Sequence, residues 1–122
     1  MNEIKQYNIF DYTEYPGPRY SHQGDYSSEN LYFKIIKPLF ERAIEINSNF
    51  TINLDGTAGY ASSFIDELFG NIVYDFGSEK FDSTIKIISN EEPEWIDIIN
   101  NQTKLEWQIK RDNQLPRKPN FD

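Results

Sequence analysis

The sequence predicts a layered α/β domain with a mixed or mostly parallel sheet of about four strands and three amphipathic helices. Apolar segments rich in β-branched residues alternate with segments whose apolar residues recur every three or four positions. The length of 122 residues suits one hydrophobic core and is too short for two ordinary ones. We expect residues 1–111 to form this single domain. Residues 112–122 have no periodicity and contain two prolines, which predicts a disordered C-terminal tail.

The first elements along the chain are a strand and a long loop. Residues 3–10 show an imperfect alternation of apolar residues, which predicts the first strand. Residues 11–28 contain Pro16, Gly17, Pro18 and Gly24, so we expect no regular structure there. The loop contains four tyrosines, which predict that it is packed against the domain: Tyr12, Tyr15, Tyr20 and Tyr26.

A helix over residues 29–46 follows, because its apolar residues form one stripe at helical spacing. Ser27 or Ser28 is placed to cap its first turn. Pro38 lies inside the helix, lacks a backbone N–H and is expected to bend it.

The second half of the chain repeats the alternation of strand and helix. Residues 50–54 predict a strand that ends at Asp55-Gly56, and a helix begins at Ser62 or Ser63 and ends before Gly77. Residues 84–88 then predict a strand. The last helix is predicted to begin at residues 90–93 and to continue to about residue 111.

Charge and composition exclude several classes of function. Up to Ile109 there are 8 basic and 18 acidic residues, a charge of −10, whereas the remaining residues carry +2. An acidic body repels phosphate backbones, so we expect no nucleic-acid ligand. There is no cysteine for disulfides, thiolate metal sites or nucleophilic catalysis. Without a signal-like N-terminus or a long apolar segment, we expect a cytoplasmic protein that needs no membrane and no cofactor.

Four segments resemble a known family. The longest segment covers residues 50–70 and reads Phe50-Thr51-Ile52-Asn53-Leu54-Asp55-Gly56, then Thr57-Ala58-Gly59-Tyr60-Ala61-Ser62-Ser63, then Phe64-Ile65-Asp66-Glu67-Leu68-Phe69-Gly70. Upstream lie Pro16-Gly17-Pro18-Arg19-Tyr20, Gly24-Asp25-Tyr26-Ser27 and Pro38-Leu39. Together they resemble the bacterial STAS-like domain of unknown function. That family is similar to STAS domains, the fold of anti-sigma-factor antagonists and sulfate-transporter tails. The resemblance implies a STAS-like fold, a regulatory role and a protein partner such as a histidine-kinase-like ATPase.

The main functional hypothesis is a docking module that recognises a partner protein. In an open α/β sheet, partners favour the carboxyl ends of the strands, where the loop from Asp55 to Ser63 begins. Of the aromatic residues, Tyr60 is the one expected to reach the partner. The predicted docking residues are Asp55, Thr57, Tyr60, Ser62, Ser63 and Arg19. Arg19 suits an anionic group, although pairing with Asp25 or Asp55 is the favoured interpretation.

Phosphorylation is an alternative that the resemblance implies. In phosphorylatable STAS domains, a Ser or Thr at the start of the helix after a core strand accepts phosphate from a partner kinase. Ser63 and Ser62 occupy that place here. A helix N-terminus stabilises phosphate, whereas nearby carboxylates repel it. The favoured interpretation is that one of the two serines simply caps the helix.

Catalysis is a weaker alternative. A Ser63–His22–Asp55 hydrolase can be assembled on paper, but the Gly-x-Ser-x-Gly elbow is absent. A divalent cation site would need several acidic residues to converge in the fold, and the sequence contains no recognised calcium-loop spacing. The acidic candidates are Asp11, Asp25, Asp55, Asp66 and Glu67. We expect neither an enzyme nor a metal site, and composition leaves the oligomeric state open.

Overall fold

A computed structural model describes residues 5–121 of the chain. The predicted strand residues 3 and 4 and the last residue of the predicted tail lie outside this range. The strands are β1 (Gln6–Asn8), β2 (Phe50–Asn53) and β3 (Ile85–Ile88). The α-helices are α1 (Ser28–Leu31), α2 (Lys37–Glu45), α3 (Ser62–Phe76), α4 (Ser78–Thr84), α5 (Glu94–Ile98) and α6 (Lys104–Asp112).

The three strands form one parallel sheet in the order β1-β2-β3. Tyr7 lies beside Ile52, and Ile52 lies beside Ile87 on the next strand. Successive side chains on a strand point to opposite faces. Phe50 and Ile52 are buried whereas Thr51 and Asn53 are partly exposed, so β2 turns one face to the core.

The helices form four stretches rather than the predicted three, and residues 5–121 contain three strands rather than about four. The missed helix is α4, which follows α3 directly after Gly77. Gly77 has a φ of 86°, a conformation that glycine adopts without strain. It ends α3 at the predicted position. α4 is too short for a helical repeat of apolar residues, and only Phe81 and Thr84 are buried in it.

Residues 28–45 form one continuous helix that includes a π-helical turn, Tyr32–Ile36. Pro38 follows that turn after one residue, Lys37. A proline inside a helix has no N–H to donate, and its ring crowds the carbonyl group four residues earlier. The helix continues past Pro38, and the bend expected there stays a prediction. A second π-helical turn, Ile99–Thr103, joins α5 to α6.

Helix α3 lies at the centre of the molecule and contacts α1, α4 and α6. Six apolar side chains on it are almost completely buried: Phe64, Ile65, Leu68, Phe69, Ile72 and Val73. Burial of this many large apolar groups is the main stabilising contribution to a domain of this size. The start of α3 is therefore mounted on the most rigid part of the fold.

Two short 3₁₀ turns lie in this region: Ile9–Asp11 replaces the end of the predicted first strand, and Ser21–Gln23 lies within the predicted loop over residues 11–28. Only two of its four tyrosines are packed against the domain. Tyr20 is buried, and the Tyr12 hydroxyl donates to the carbonyl of Ser27 at 2.7 Å. Tyr15 and Tyr26 are exposed, so two of the four tyrosines hold the loop against the domain and the other two do not.

Residues 113–121 contain no helix or strand, and their contacts are described below. The division into a domain over residues 1–111 and a disordered tail over residues 112–122 stays a prediction.

Candidate functional site

The loop after β2 is fixed by paired hydrogen bonds to the loop after β3. The backbone N–H of Glu91 donates to Asp55 Oδ1 at 2.9 Å, and the N–H of Gly56 donates to Glu91 Oε1 at 2.7 Å. Asn53 accepts from the N–H of Asp55 at 3.0 Å, and Thr57 Oγ1 accepts from that of Gly59 at 3.3 Å. Asp55 therefore joins this loop to the loop after β3, and Thr57 bonds to the backbone of its own loop.

The long loop before α1 supports the other side of the same turn. The N–H of Ala58 donates to the carbonyl of Glu14 at 2.8 Å, and the N–H of Ala61 donates to that of Pro16 at 3.0 Å. Backbone bonds of this kind satisfy groups that would otherwise lack partners in a loop. The two loops together form one surface at the carboxyl ends of the strands.

Tyr60 points inward from this surface. Its hydroxyl donates to the carbonyl of Leu54 at 2.7 Å, and its ring lies 6.1 Å from Phe64 and 6.4 Å from Trp95. Burial is the main cause that raises the pKa of Tyr60 above its ordinary value, so the hydroxyl stays protonated. The ring remains partly exposed, and its polar end is already bonded within the fold.

Two other aromatic side chains project from the loop surface, and the sequence analysis did not select them. Tyr15 is 70% exposed and follows Glu14, which bonds to Ala58. Phe10 is 46% exposed and lies beside Gly56. Large exposed aromatic rings next to a fixed backbone are typical anchors of protein interfaces. The sequence in this region has no periodicity that could single out these two rings. They are recognised as docking candidates only because the structure shows the two loops side by side.

Ser62 and Ser63 begin α3, but neither of them caps it. The residue at the cap position is Ala61, and no side chain caps the helix there. Within residues 5–121, neither serine hydroxyl forms a hydrogen bond, and Ser62 is exposed. The favoured capping interpretation for this helix is therefore wrong, because the helix begins one residue earlier than a serine cap requires. At α1 the capping prediction is confirmed, since Ser27 Oγ accepts from the N–H of Asn30 at 3.1 Å.

Arg19 binds two carboxylates at the start of α3. Its Nη1 lies 2.9 Å from Asp66 Oδ2 and 3.2 Å from Glu67 Oε1. The expected pairing with Asp25 or Asp55 is wrong, since the long loop carries Arg19 over the first turn of α3 rather than toward the loop after β2. Burial alone would lower the pKa of Arg19, but the two ion pairs outweigh it and raise that pKa.

A buried polar pair extends from Arg19 into the core. Glu67 is 1% exposed, and its Oε2 accepts from Asn71 Nδ2 at 2.7 Å. Burial raises the pKa of Glu67, and the hydrogen bonds and charge of its partners offset this only in part. The sequence carries a signal for the pair, because Glu67 and Asn71 lie four residues apart among buried apolar positions of one helix. The sequence analysis missed Asn71.

A crevice of about 290 Å³ lies between the first turn of α3 and the α5–α6 stretch. Arg19, Ser62 and Asp66 line one side, and Glu106 lies on the other. The indole N–H of Trp107 donates to Asp66 Oδ1 at 3.2 Å, which holds that carboxylate in position. Arg19 and Ser62 of the predicted docking set therefore share one crevice, whereas Asp55 and Thr57 lie in the loop after β2.

The hydrolase arrangement is not formed in the described part of the chain. His22 stacks on Tyr20 with ring centres 5.9 Å apart, Asp55 accepts from the backbone of Glu91, and Ser63 has no hydrogen-bond partner. No group of three or more His, Cys, Asp or Glu side chains within residues 5–121 is arranged to hold a metal ion. Asp66 and Glu67, the neighbouring acidic candidates, converge on Arg19 instead.

Comparison with known proteins identifies a family for the chain. No helix between residues 5 and 121 is long and apolar enough to cross a membrane. Neither the curated proteins nor the solved structures include a match. A family model for the STAS-like domain of unknown function matches residues 27–95, which contain β2, β3, α3 and the loop after β2. Since that match covers more than half of the chain, the protein belongs to the family of STAS-like domains of unknown function (DUF4325).

Proposed function

We propose that the chain is a regulatory module that docks onto a partner protein through the surface formed by the loops before α1 and after β2. The observation that carries the proposal is the pair of exposed aromatic rings, Phe10 and Tyr15, on a backbone fixed by hydrogen bonds from both loops. Membership of a STAS-like family supports an interaction role. The partner we propose is a histidine-kinase-like ATPase.

The proposed docking surface also includes the crevice beside α3. The docking residues that the sequence predicted are Asp55, Thr57, Tyr60, Ser62, Ser63 and Arg19. In this arrangement Phe10 and Tyr15 are the anchors that fill pockets on the partner. Asp55, Thr57 and Tyr60 fix the loop, while Ser62 and Arg19 contribute polar contacts at the edge.

Replacing Tyr15 or Phe10 with alanine is expected to weaken binding of a co-encoded histidine-kinase-like ATPase about tenfold or more, because each change removes an exposed anchor. Affinity would be measured by isothermal titration calorimetry with the full-length chain. Ile46→Ala is the matched control, since Ile46 is 39% exposed and follows α2 at the opposite end of the sheet. It should change the affinity less than twofold. Wild-type affinity in both aromatic variants would refute this docking surface.

A phosphoacceptor role for Ser63 or Ser62 is the second candidate. What favours it is that both hydroxyls lack hydrogen bonds within the described chain and lie at the N-terminus of a long helix. The partner would transfer the γ-phosphoryl group of ATP to a serine Oγ, releasing ADP and the hydroxyl proton. Asp66 lies in the same crevice and opposes the added charge.

Mass spectrometry of the full-length chain, after incubation with ATP and the partner ATPase, tests this second role. We expect an increase of one phosphoryl group on the peptide that contains Ser62 and Ser63. Ser63→Ala and Ser62→Ala identify the acceptor, and Ser48→Ala, at an exposed serine before β2, is the control. An unmodified peptide under conditions where the ATPase hydrolyses ATP would eliminate the role.

A further inference from the structure

Asp75 on α3 forms a two-point contact with Arg117, which lies beyond the last helix. Arg117 Nη2 is 2.5 Å from Asp75 Oδ1, and its Nη1 is 3.2 Å from Asp75 Oδ2. The same Nη1 donates to Asn71 Oδ1 at 3.0 Å, and the Tyr32 hydroxyl donates to Asp75 Oδ2 at 2.5 Å. Paired contacts between a guanidinium and a carboxylate are specific in direction as well as charge. Asn71 and Tyr32 are fully buried, so this receptor for arginine is built into the core.

Two aromatic rings enclose the same guanidinium. Arg117 Cζ lies 4.5 Å from the ring centre of Tyr74 and 5.3 Å from that of Phe33. A flat guanidinium gains from stacking on aromatic rings, whereas an ammonium group does not fill the space in the same way. Together with the two-point contact to Asp75, this stacking favours arginine over lysine at the site.

The residues around Arg117 make further contacts with the body. The Tyr74 hydroxyl donates to the carbonyl of Leu115 at 2.7 Å, and Lys118 Nζ lies 2.7 Å from Glu29 Oε2. The ring of Phe121 lies 5.1 Å from that of Tyr20. We call the receiving surface the tail groove; its residues are Tyr20, Glu29, Phe33, Asn71, Tyr74 and Asp75.

Side chains provide nearly all of this attachment. Residues 116–119 form no backbone-to-backbone hydrogen bond with the rest of the described chain. Arg117 remains 26% exposed and Lys118 40% exposed, so water and a competing group can reach both ion pairs. A segment held in this manner exchanges more readily than a strand or a packed helix.

Charge favours a basic occupant. The body up to Ile109 carries −10, and the segment from Lys110 onward carries +2. The groove itself offers two carboxylates, Glu29 and Asp75, which are largely buried at 12% and 14% exposure. Without the tail, Glu29 loses the Lys118 cation and Asp75 keeps only Lys37, whose Nζ lies 3.6 Å from its Oδ2. Removing the cation of a largely buried carboxylate is costly, so the groove selects a cationic segment.

From these contacts we propose that the tail groove is a recognition site for a peptide segment with the pattern Arg-Lys-x-x-aromatic. Residues 115–121 are its intramolecular occupant. A partner protein that carries a segment of the same chemistry displaces them. The predicted disorder of the tail then describes the displaced state.

The test uses the full-length chain and a fluorescein-labelled peptide of residues 114–121, Gln-Leu-Pro-Arg-Lys-Pro-Asn-Phe, measured by fluorescence anisotropy. In the wild type, the attached tail competes at an effective concentration in the millimolar range. Arg117→Ala weakens that competitor and should bind the added peptide about tenfold more tightly than the wild type. Adding Asp75→Asn to Arg117→Ala should lower the affinity again by about tenfold, because the groove then lacks the carboxylate for the peptide's arginine.

Two controls separate recognition from misfolding. Circular dichroism and a thermal melt check that each variant is folded. If Asp75→Asn unfolds, Glu29→Gln takes its place. Glu29→Gln should lower the affinity for the peptide several-fold, because the contact made by Lys118 is lost. A peptide with alanine in place of its arginine should not bind. Equal affinity of wild type and Arg117→Ala, or no binding to either, would overturn the proposal. A wild-type dimer that Arg117→Ala dissociates would place the tail of a second copy in the groove and overturn the intramolecular assignment.

Discussion

Replacing Gly70 with alanine is expected to destabilise the protein by about 3 kcal/mol, because overpacking a tight core site costs 1–3 kcal/mol and occasionally more. A Cβ atom at this position of α3 would lie 2.1 Å from Cε2 and 2.3 Å from Nε1 of Trp107. The indole is 1% exposed and its N–H is bonded to Asp66, so it has no room to move aside. Helix propensity alone predicts the opposite sign, since alanine is favoured over glycine by about 1 kcal/mol inside a helix.

Urea unfolding at neutral pH would measure this change. Gly17→Ala is the control, because its added Cβ would meet only the carbonyl oxygen of Tyr15 at 3.9 Å. That variant should stay within about 0.5 kcal/mol of the wild type. Trp107→Ala should cost less stability in the Gly70→Ala background than in the wild type, since removing the indole also removes the clash and makes the two changes non-additive. A Gly70→Ala protein as stable as the wild type would show that α3 and α6 do not approach this closely.

Replacing Arg19 with alanine is expected to cost about 2–3 kcal/mol at neutral pH, because it leaves the buried Glu67 carboxylate without its cation. The effect depends on pH in a defined direction. Burial already raises the pKa of Glu67 above 4.5, and loss of Arg19 raises it further. The destabilisation is complete above the raised pKa and shrinks as the pH falls through it toward 4.5. Below that range, Glu67 is protonated in both the folded and the unfolded states.

Unfolding free energies at about pH 7.5 and pH 5 would test this expectation. Glu67→Gln combined with Arg19→Ala should regain most of the stability and lose the pH dependence, since the buried charge is gone while an amide replaces it. Lys86→Ala is the control, because Lys86 is exposed on β3 and substitutions at exposed positions usually change stability by about 0.5 kcal/mol or less. If Arg19→Ala destabilised the chain equally at both pH values, Glu67 would not be the group responsible.

Local sequence patterns predicted the elements whose residue types and spacing are characteristic of a strand, a helix end or a helix cap. The strand Phe50–Asn53, the helix end before Gly77 and the cap by Ser27 all follow from periodicity and from residue types at the ends of elements. The resemblance carried by residues 16–70 also identified the family correctly. Each of these features depends on residues that are neighbours in the chain.

The errors concern contacts between residues that are distant in sequence. Arg19 was expected to pair with Asp25 or Asp55, but it contacts Asp66 and Glu67, 47 and 48 positions away. Nothing in a local pattern ranks one distant carboxylate above another, since any of them could satisfy the same guanidinium. The carboxylates that pair with Arg19 are decided by where the long loop passes over α3.

By itself, the sequence determined the class of fold, the order of its main elements and the absence of cysteine chemistry. Those properties depend on composition and on the spacing of apolar residues, which the chain carries wherever it folds. Tertiary structure alone decided that Tyr60 turns its hydroxyl inward while Tyr15 and Phe10 project, and that Arg117 lies between two rings against Asp75. The physical reason is that burial and ion pairing depend on where separate segments meet, and that meeting is fixed only when the whole core packs.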